Sequence, residues 1–359
     1  MDVTPYDALL LLSFGGPEKP DDVVPFLENV TRGRGIPRER LVEVGQHYFG
    51  FGGRSPINDQ NKALIAVLEA ALLARGIELP VYWGNRNWEP YLPDAVAQMS
   101  EDGIRRALVL TTSAYASYSS CRQYRENLWD AVQAAGAPAL DKIRPYYNHP
   151  GFVSAVTDGV LTALGELGAA SHAARLVFVT HSIPTSMAAA SGPDGDAYVA
   201  QHRDLAAEVT REIEARIGQV HDHDLVYCSR SGPPQMPWLE PDVNDHLEAL
   251  HADGVTAAVL IPIGFVSDHM EVIYDLDTEA LATAQRLGMD VRRAATAGTH
   301  PAFVAGLIDL ILERAAAERG ADPERPFVGS LGPTWDRCTP DCCVAATPRP
   351  ALCGTEAGR

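Results

Sequence analysis

The chain has 359 residues, 46% hydrophobic and 21% charged, with a formal net charge of −18. Roughly 150 residues per domain predicts two domains, and a chain this long buries a large core. The acidity argues against nucleic acid and anionic membranes as partners, since both select basic surfaces; an anionic small molecule needs only a local group of arginines, available at Arg32, Arg34, Arg54, Arg86, Arg122 and Arg125.

Short apolar runs alternate with amphipathic stretches along the chain. Residues 8–14 (ALLLLSF) predict a buried strand ended by Gly15-Gly16-Pro17. Helices are predicted over 21–30, 38–47 and 61–74, the last stopped near Gly76. Strands at 81–84 and 107–112 flank a helix at 94–100, and a helix at 122–134 closes the first series. After a break near His149-Pro150 the order repeats: helix 151–167, strand 175–180, helix 198–217, strand 225–228, helix 242–252 and strand 257–263. A helix over 302–317 follows. Strands apolar on both faces and separated by helices predict parallel sheets covered on both sides, hence an α/β protein of two similar doubly wound halves. The expected division is 1–149, 150–299, a closing helix at 300–320, and a tail at 321–359 rich in Pro, Gly, Thr and Cys.

The start of the chain has no basic segment ahead of an apolar stretch, and no run approaches the roughly 20 apolar residues of a membrane span. A cytoplasmic protein without membrane insertion is expected. Six cysteines in such a chain do not predict a disulfide framework. Cys338, Cys342, Cys343 and Cys353 crowd the tail, away from Cys121 and Cys228, and that clustering favours metal ligation. Cys228, at a strand end, reads as a buried small residue.

In open α/β sheets ligands bind at the carboxyl ends of the strands. The residues there are Phe14–Pro17, Asn85–Trp88, Ser113–Cys121, His181–Pro184, 229–234 and Gly264–Glu271, all polar, aromatic or rich in Gly and Pro. His181 projects from a strand tip. Glu271, Asp275 and Glu279, spaced i, i+4, i+8, place three carboxylates on one helix face. Like charges so spaced repel unless protons or a cation relieve them, and a hydrated divalent cation suits their oxygens.

The motifs LLLLSFGGP (9–17), GGRSPIN (52–58), THSIP (180–184), SRSGPPQMPWLEP (229–241) and PIGFVSDHMEVIYDLD (262–277) resemble the ferrochelatase family. RGRGIP (32–37), GNRNWEP (84–90) and YSSCRQY (118–124) resemble its actinobacterial branch, whose members are thought to act on coproporphyrin III. The resemblance implies two Rossmann-like domains around a porphyrin cleft. His181 matches the family's active-site histidine and Glu271 the carboxylate facing it, both on the metal, with Asp275 and Glu279 continuing the metal's path outward. Ser55 and Tyr124 match residues that hold porphyrin carboxylates, and Arg32 and Phe14 join the substrate set. Phe14 stands where some members have an iron-ligating tyrosine, so that ligand is missing here. Several ferrochelatases carry a [2Fe-2S] cluster on one internal and three C-terminal cysteines. Here Cys121, Cys338, Cys342 and Cys343 are the expected ligands, with Cys353 the alternative to Cys342.

The expected reaction is insertion of Fe2+ into coproporphyrin III, a lyase step of haem synthesis. The branch resemblance, the arginines and the absence of an apolar lip or anchoring helix favour that substrate over protoporphyrin IX. The sequence leaves open whether His181 is base or ligand. A cobalt or nickel chelatase and a haem carrier are the competing readings. The expected partners are the porphyrin, ferrous iron and a transient downstream enzyme of haem synthesis, with the chain itself a monomer.

Overall fold

The computed structural model describes residues 1–233, 235–345, 347 and 349–352. Strand β1 (Ala8–Ser13) is buried at every residue, as an apolar run covered on both faces must be. Helices α1 (Pro20–Val30) and α2 (Arg38–Phe49) form a small lobe after it, and α3 (Ile57–Ala74) returns the chain to β2 (Val81–Asn85). Then come α4 (Leu92–Glu101), β3 (Arg106–Thr111), α5 (Gln123–Ala135) and β4 (Ala139–Lys142). The four strands pair in parallel in the order β2-β1-β3-β4.

The second series opens with α6 (Pro150–Leu167) and β5 (Arg175–His181). It continues through α7 (Thr185–Ala189), α8 (Ala197–Ile217), β6 (His223–Cys228), α9 (Val243–Ala252) and β7 (Ala257–Ile261). Helix α10 (Met270–Tyr274), a π-helical segment (Asp275–Ala280), α11 (Leu281–Leu287) and β8 (Asp290–Arg293) follow, and α12 (Pro301–Glu318) ends the series. Its sheet is also parallel, in the order β6-β5-β7-β8, the same winding as the first. The predicted α/β architecture with two similar parallel sheets is therefore present.

One apolar cluster joins the two series. Leu64, Leu68 and Leu72 of α3 pack with Phe152 and Val156 of α6 and with Phe303, Leu307 and Ile311 of α12. The α6–α12 approach is close enough that a Cβ on Gly151 would stand 2.3 Å from the carbonyl oxygen of Ala302, so only glycine fits. The stretch containing α6, 150–173, is long and apolar enough to cross a membrane by composition, against the expectation that no segment would be. Half of it is buried in the protein, and α6 packs against α8 and α12, as a core helix does. The α1–α2 lobe and its flanking turns expose Ile36, Val42, Phe49 and Phe51 at 36–42%, a small apolar rim that the sequence reading did not anticipate.

Hydrogen bonds from the core hold the tail. Asn148 accepts from the N–H of Val328 and donates to the carbonyl of Gly332. Arg144 makes a two-pronged pair with Glu313 of α12, Nε to Oε1 at 2.7 Å and Nη2 to Oε2 at 3.1 Å, and also donates to Pro326 and Thr334. Arg122 donates to the carbonyls of Pro340 and Arg349, and Arg125 to that of Cys342. Buried guanidinium groups thus take the carbonyls of a segment with few apolar residues.

Candidate active site

The strand ends of both sheets open into one cleft of about 920 Å³. Its walls come from the predicted segments: Phe14 after β1, Arg86 after β2, Ser113 after β3, His181 to Pro184 from β5, and Gly264 to Glu271 after β7. That volume suits a single large, flat organic ligand.

His181 is the last residue of β5. Its Nδ1 donates to the carbonyl of Ser182 at 2.5 Å, which leaves Nε2 facing Oε1 of Glu271 at 3.4 Å. A bare nitrogen lone pair against a carboxylate is repulsive, so the pair needs one proton or one cation between them. The side chains stay 30% and 45% open to the cleft, yet stand deep in a concave wall where bulk water solvates charge poorly. Burial opposes the imidazolium, but the Glu271 carboxylate outweighs it and holds the His181 pKa above its ordinary value. Burial likewise opposes the Glu271 carboxylate, and His181 chiefly pulls its pKa down to about 2. The carboxylate and the imidazole thus favour each other's charged forms.

The neighbours fix this geometry. The Tyr198 hydroxyl donates to the His181 carbonyl at 2.9 Å. Thr180 lies 2.9 Å from that hydroxyl and 2.8 Å from Nε2 of His202. His202 donates through Nδ1 to the carbonyl of Tyr198, and burial pushes its pKa down to about 3, so its Nε2 accepts from Thr180. The His202 ring stacks on Tyr115 at 3.6 Å, and Tyr115 donates to the Ile263 carbonyl. Across the sheet, a Cβ on Gly264 would stand 2.2 Å from Oγ1 of Thr180, so β5 and the turn after β7 touch through a glycine.

Glu271 lies in the first turn of α10, where its N–H donates to Nδ1 of His269. Burial lowers the His269 pKa, so that ring is neutral and accepts; its 3.6 Å approach to Oε2 of Glu271 is not an ion pair. Beyond Tyr274 the backbone widens into the π-helical segment, so the three carboxylates do not stack on one α-helical face as the i, i+4, i+8 spacing implied. Such widened turns recur at functional sites. Asp275 sits one turn from Glu271 and accepts from Ser229; burial first, with Glu271 and Glu279 adding repulsion against the Ser229 bond, raises its pKa to about 7. Glu279 lies on the exposed side, bonded to Tyr274.

Phe14, Arg32, Ser55 and Tyr124 all line the cleft with His181 and Glu271. Phe14 packs edge-on to Phe26, and Arg86 lies 4.6 Å over the Tyr124 ring. Of the six arginines expected to gather the ligand, only Arg32, Arg34 and Arg86 reach the cleft. Arg54 pairs with Asp59 outside it, and Arg122 and Arg125 are buried against the tail. Charge pattern alone could not separate these uses.

A profile of the ferrochelatase family matches residues 6–315. The chain belongs to the ferrochelatase family. It is accordingly a lyase. A coproporphyrin III ferrochelatase of Streptomyces griseus is 59% identical over 99% of this chain and 98% of its own. One from Frankia alni is 52% identical over 94% and 86%. A ferrochelatase of Rhodopirellula baltica is 48% identical over 98% and 97%. Among solved structures, SirB from Bacillus subtilis with Fe3+ superposes with a TM-score of 0.51 at 14% identity, over 87% of this chain and 97% of that one, a likeness of fold.

In this ferrochelatase the four expected cysteines meet behind α5. Cys121, Cys338, Cys342 and Cys343 are all buried and reduced. Cys338 is within hydrogen-bonding reach of Cys121 and of Cys342, and the sulfurs of Cys342 and Cys343 stand 3.6 Å apart. The indole N–H of Trp335 adds a bond to Cys338 at 3.2 Å and the Gly192 N–H one to Cys343 at 3.0 Å. Among the described residues no three His, Cys, Asp or Glu side chains are arranged to hold one metal ion, so the sulfurs form a row and not a finished cage. Cys353 lies outside the described residues. Cys228 is buried in the second core, as expected of a small residue.

Proposed function

We propose that this ferrochelatase inserts ferrous iron into coproporphyrin III to give coproheme, with His181 and Glu271 as its catalytic pair. The observation that carries the reading is the His181–Glu271 contact at 3.4 Å on the wall of a cleft of porphyrin size. Insertion exchanges two pyrrole N–H protons for one Fe2+, which must shed its water. With its ring neutral, His181 accepts one pyrrole proton at Nε2; Glu271 receives the second, or holds the incoming metal while the second proton passes to water in the cleft. Asp275 and Glu279 offer successive oxygen ligands on the way in, hard donors suited to a hydrated divalent ion. Phe14, Arg32, Ser55 and Tyr124 bind the macrocycle; Ser55 and Tyr124 take its carboxylates, and Phe14 supplies an apolar face without a phenolate ligand.

The proposed division is 1–149, 150–299, 300–320 and 321–359; two separate four-stranded sheets support its first boundary. The four cysteines suit a [2Fe-2S] cluster in number and chemistry: buried, free of disulfides and supplied with N–H donors. Such a cluster supplies one-electron chemistry and a cross-link between Cys121 and the tail. A cytoplasmic monomer that hands its product to the next enzyme of haem synthesis completes the proposal. The experiment is an anaerobic assay of ferrous, cobalt and nickel insertion into coproporphyrin III and protoporphyrin IX. A higher kcat/KM for ferrous iron with coproporphyrin III supports the reading, and comparable or reversed values for protoporphyrin IX overturn its substrate half.

A further inference from the structure

Of the arginines whose spacing suggested a ligand, Arg122 and Arg125 are spent on tail carbonyls, but that contact delivers another. Nη2 of Arg122 donates to the backbone carbonyl of Arg349 at 2.7 Å, and the Arg349 side chain lines the cleft beside Arg86. We propose that Arg349 and Arg86 form a carboxylate subsite that binds one propionate of the porphyrin, an inference that rests on the coproporphyrin III reading.

The wall between them is polar: Ser119, Ser120, Gln123 and Asn127 all face the cleft. Arg86 is oriented by a 2.8 Å bond from Nε to Asn127 and by its stacking on Tyr124. Both guanidinium groups meet the same turn of α5, Arg86 at Asn127 and Arg349 at Asp130 and Glu126. Arg349 donates from Nη2 to Asp130 at 2.5 Å. Asp130 is half exposed, so that pair is weak and readily exchanged for a carboxylate held in the cleft. Glu126 also stands 3.9 Å from Nη1 of Arg349, too far for a hydrogen bond, and its oxygens accept from Arg122 and Tyr118. A guanidinium binds a carboxylate through two parallel N–H bonds, which lysine cannot reproduce. The tail thereby contributes to substrate selection: four propionates offer more partners for a cationic rim than two. Arg349 lies beyond residues 6–315, the part of the chain that carries the family pattern.

Equilibrium binding of coproporphyrin III and protoporphyrin IX, read by porphyrin fluorescence without iron, tests this in the wild type and in Arg349→Ala, Arg349→Lys and Asp130→Asn. Loss of a charge-assisted pair predicts about a tenfold rise in Kd for coproporphyrin III in Arg349→Ala, only partial rescue by lysine, and a smaller change for protoporphyrin IX. Asp130→Asn releases Arg349 and tightens coproporphyrin III. In turnover, KM rises more than kcat falls. Unchanged coproporphyrin III binding in Arg349→Ala, or equal losses for both porphyrins, overturns the subsite. Failure of the wild type to bind or metallate coproporphyrin III overturns instead the substrate reading beneath it.

Discussion

Oγ1 of Thr180 lies 2.8 Å from Nε2 of His202, and through that contact a fully buried, neutral histidine supports the strand end that carries His181. His202 touches neither the cleft nor the metal path, so it is a positioning residue. His202→Ala removes the stacking on Tyr115 and the acceptor for Thr180. The expected cost is roughly 2–4 kcal/mol of stability and on the order of a tenfold to hundredfold loss of kcat through misplacement of His181. His202→Gln, which can still accept from Thr180, should recover part of kcat. A His202→Ala protein with wild-type kcat removes the positioning role.

The His181–Glu271 pair predicts an acid limb in the pH profile. His181 holds its proton above its ordinary pKa, and only the neutral ring accepts a pyrrole proton or binds iron, so kcat/KM rises with pH through that titration. Asp275, with a pKa of about 7, becomes a metal-binding carboxylate in the same window. Asp275→Asn should therefore lower ferrous kcat/KM above neutrality and flatten the limb. His181→Ala should abolish insertion while porphyrin still binds, measured by fluorescence alongside single-turnover metallation. Retained turnover removes His181 from the chemistry.

The same titrations act on stability with opposite consequences for added metal. The folded Asp275 pKa is raised above 3.8, so the native state binds more protons than the unfolded chain between pH 3.8 and about 7, and stability falls as pH rises through that range. His181, also raised, contributes stability below its unfolded pKa and loses it as pH rises through the folded value. A divalent cation relieves the ionised carboxylates. The Tm gain from anaerobic Fe2+, or from Co2+ as a surrogate, should be larger at pH 8 than at pH 6. A gain independent of pH contradicts this site for the cation.

Arg144 and Glu313 form a bidentate pair with side chains 1% and 4% exposed. Removal of one partner leaves the other charge buried and unpaired, at an expected cost of about 3–5 kcal/mol. Arg144→Met should show that loss in chemical denaturation and should free the tail at Pro326 and Thr334, seen as faster proteolysis there. The double variant Arg144→Met with Glu313→Leu should recover much of the stability. Unaltered denaturation of the single variant shows the pair to be dispensable.

The cysteine row yields a prediction with a structural readout. If it binds a [2Fe-2S] cluster, protein expressed with iron and purified anaerobically is brown, and Cys121→Ser bleaches it. Hydrogen exchange should then increase around 338–345, since metal binding contributes folding free energy to the segments it joins. The arginine clamps hold the tail regardless, so the increase should be local. A colourless wild-type protein with full activity leaves the row as four packed thiols.

The long apolar runs made most of the fold legible in advance. β1 and β7 are buried on both faces and admit no other reading. β4 (ALDK) and β8 (DVRR) were missed because edge strands are half polar; Asp141 and Arg293 spend their charges in ion pairs, not in an apolar alternation. The π-helical segment after Tyr274 was hidden because its composition is that of an ordinary helix. His181 and Glu271 were found by strand-end position and by motif. Tyr115 lay in a flagged strand-end segment but its role was not visible, and His202 and Tyr198 carried no sequence signal, since each acts through a buried contact between separate segments. Arg122 and Arg125 were misassigned for the complementary reason: a sequence displays charge but not whether a carbonyl or a ligand will meet it.

The clamps that hold the tail also impose an order on the protein's birth. Arg122, Arg125 and Arg144 emerge from the ribosome early, while their partners lie 169 to 227 residues later in the chain. Until those arrive, Arg144 lacks the carboxylate it pairs with, and Arg122 has Glu126 but not the tail carbonyls that complete its bonds. The nascent first half therefore stays loosened around α5 and the end of β4, open to chaperones and proteases, and its cleft wall sets only when translation has ended.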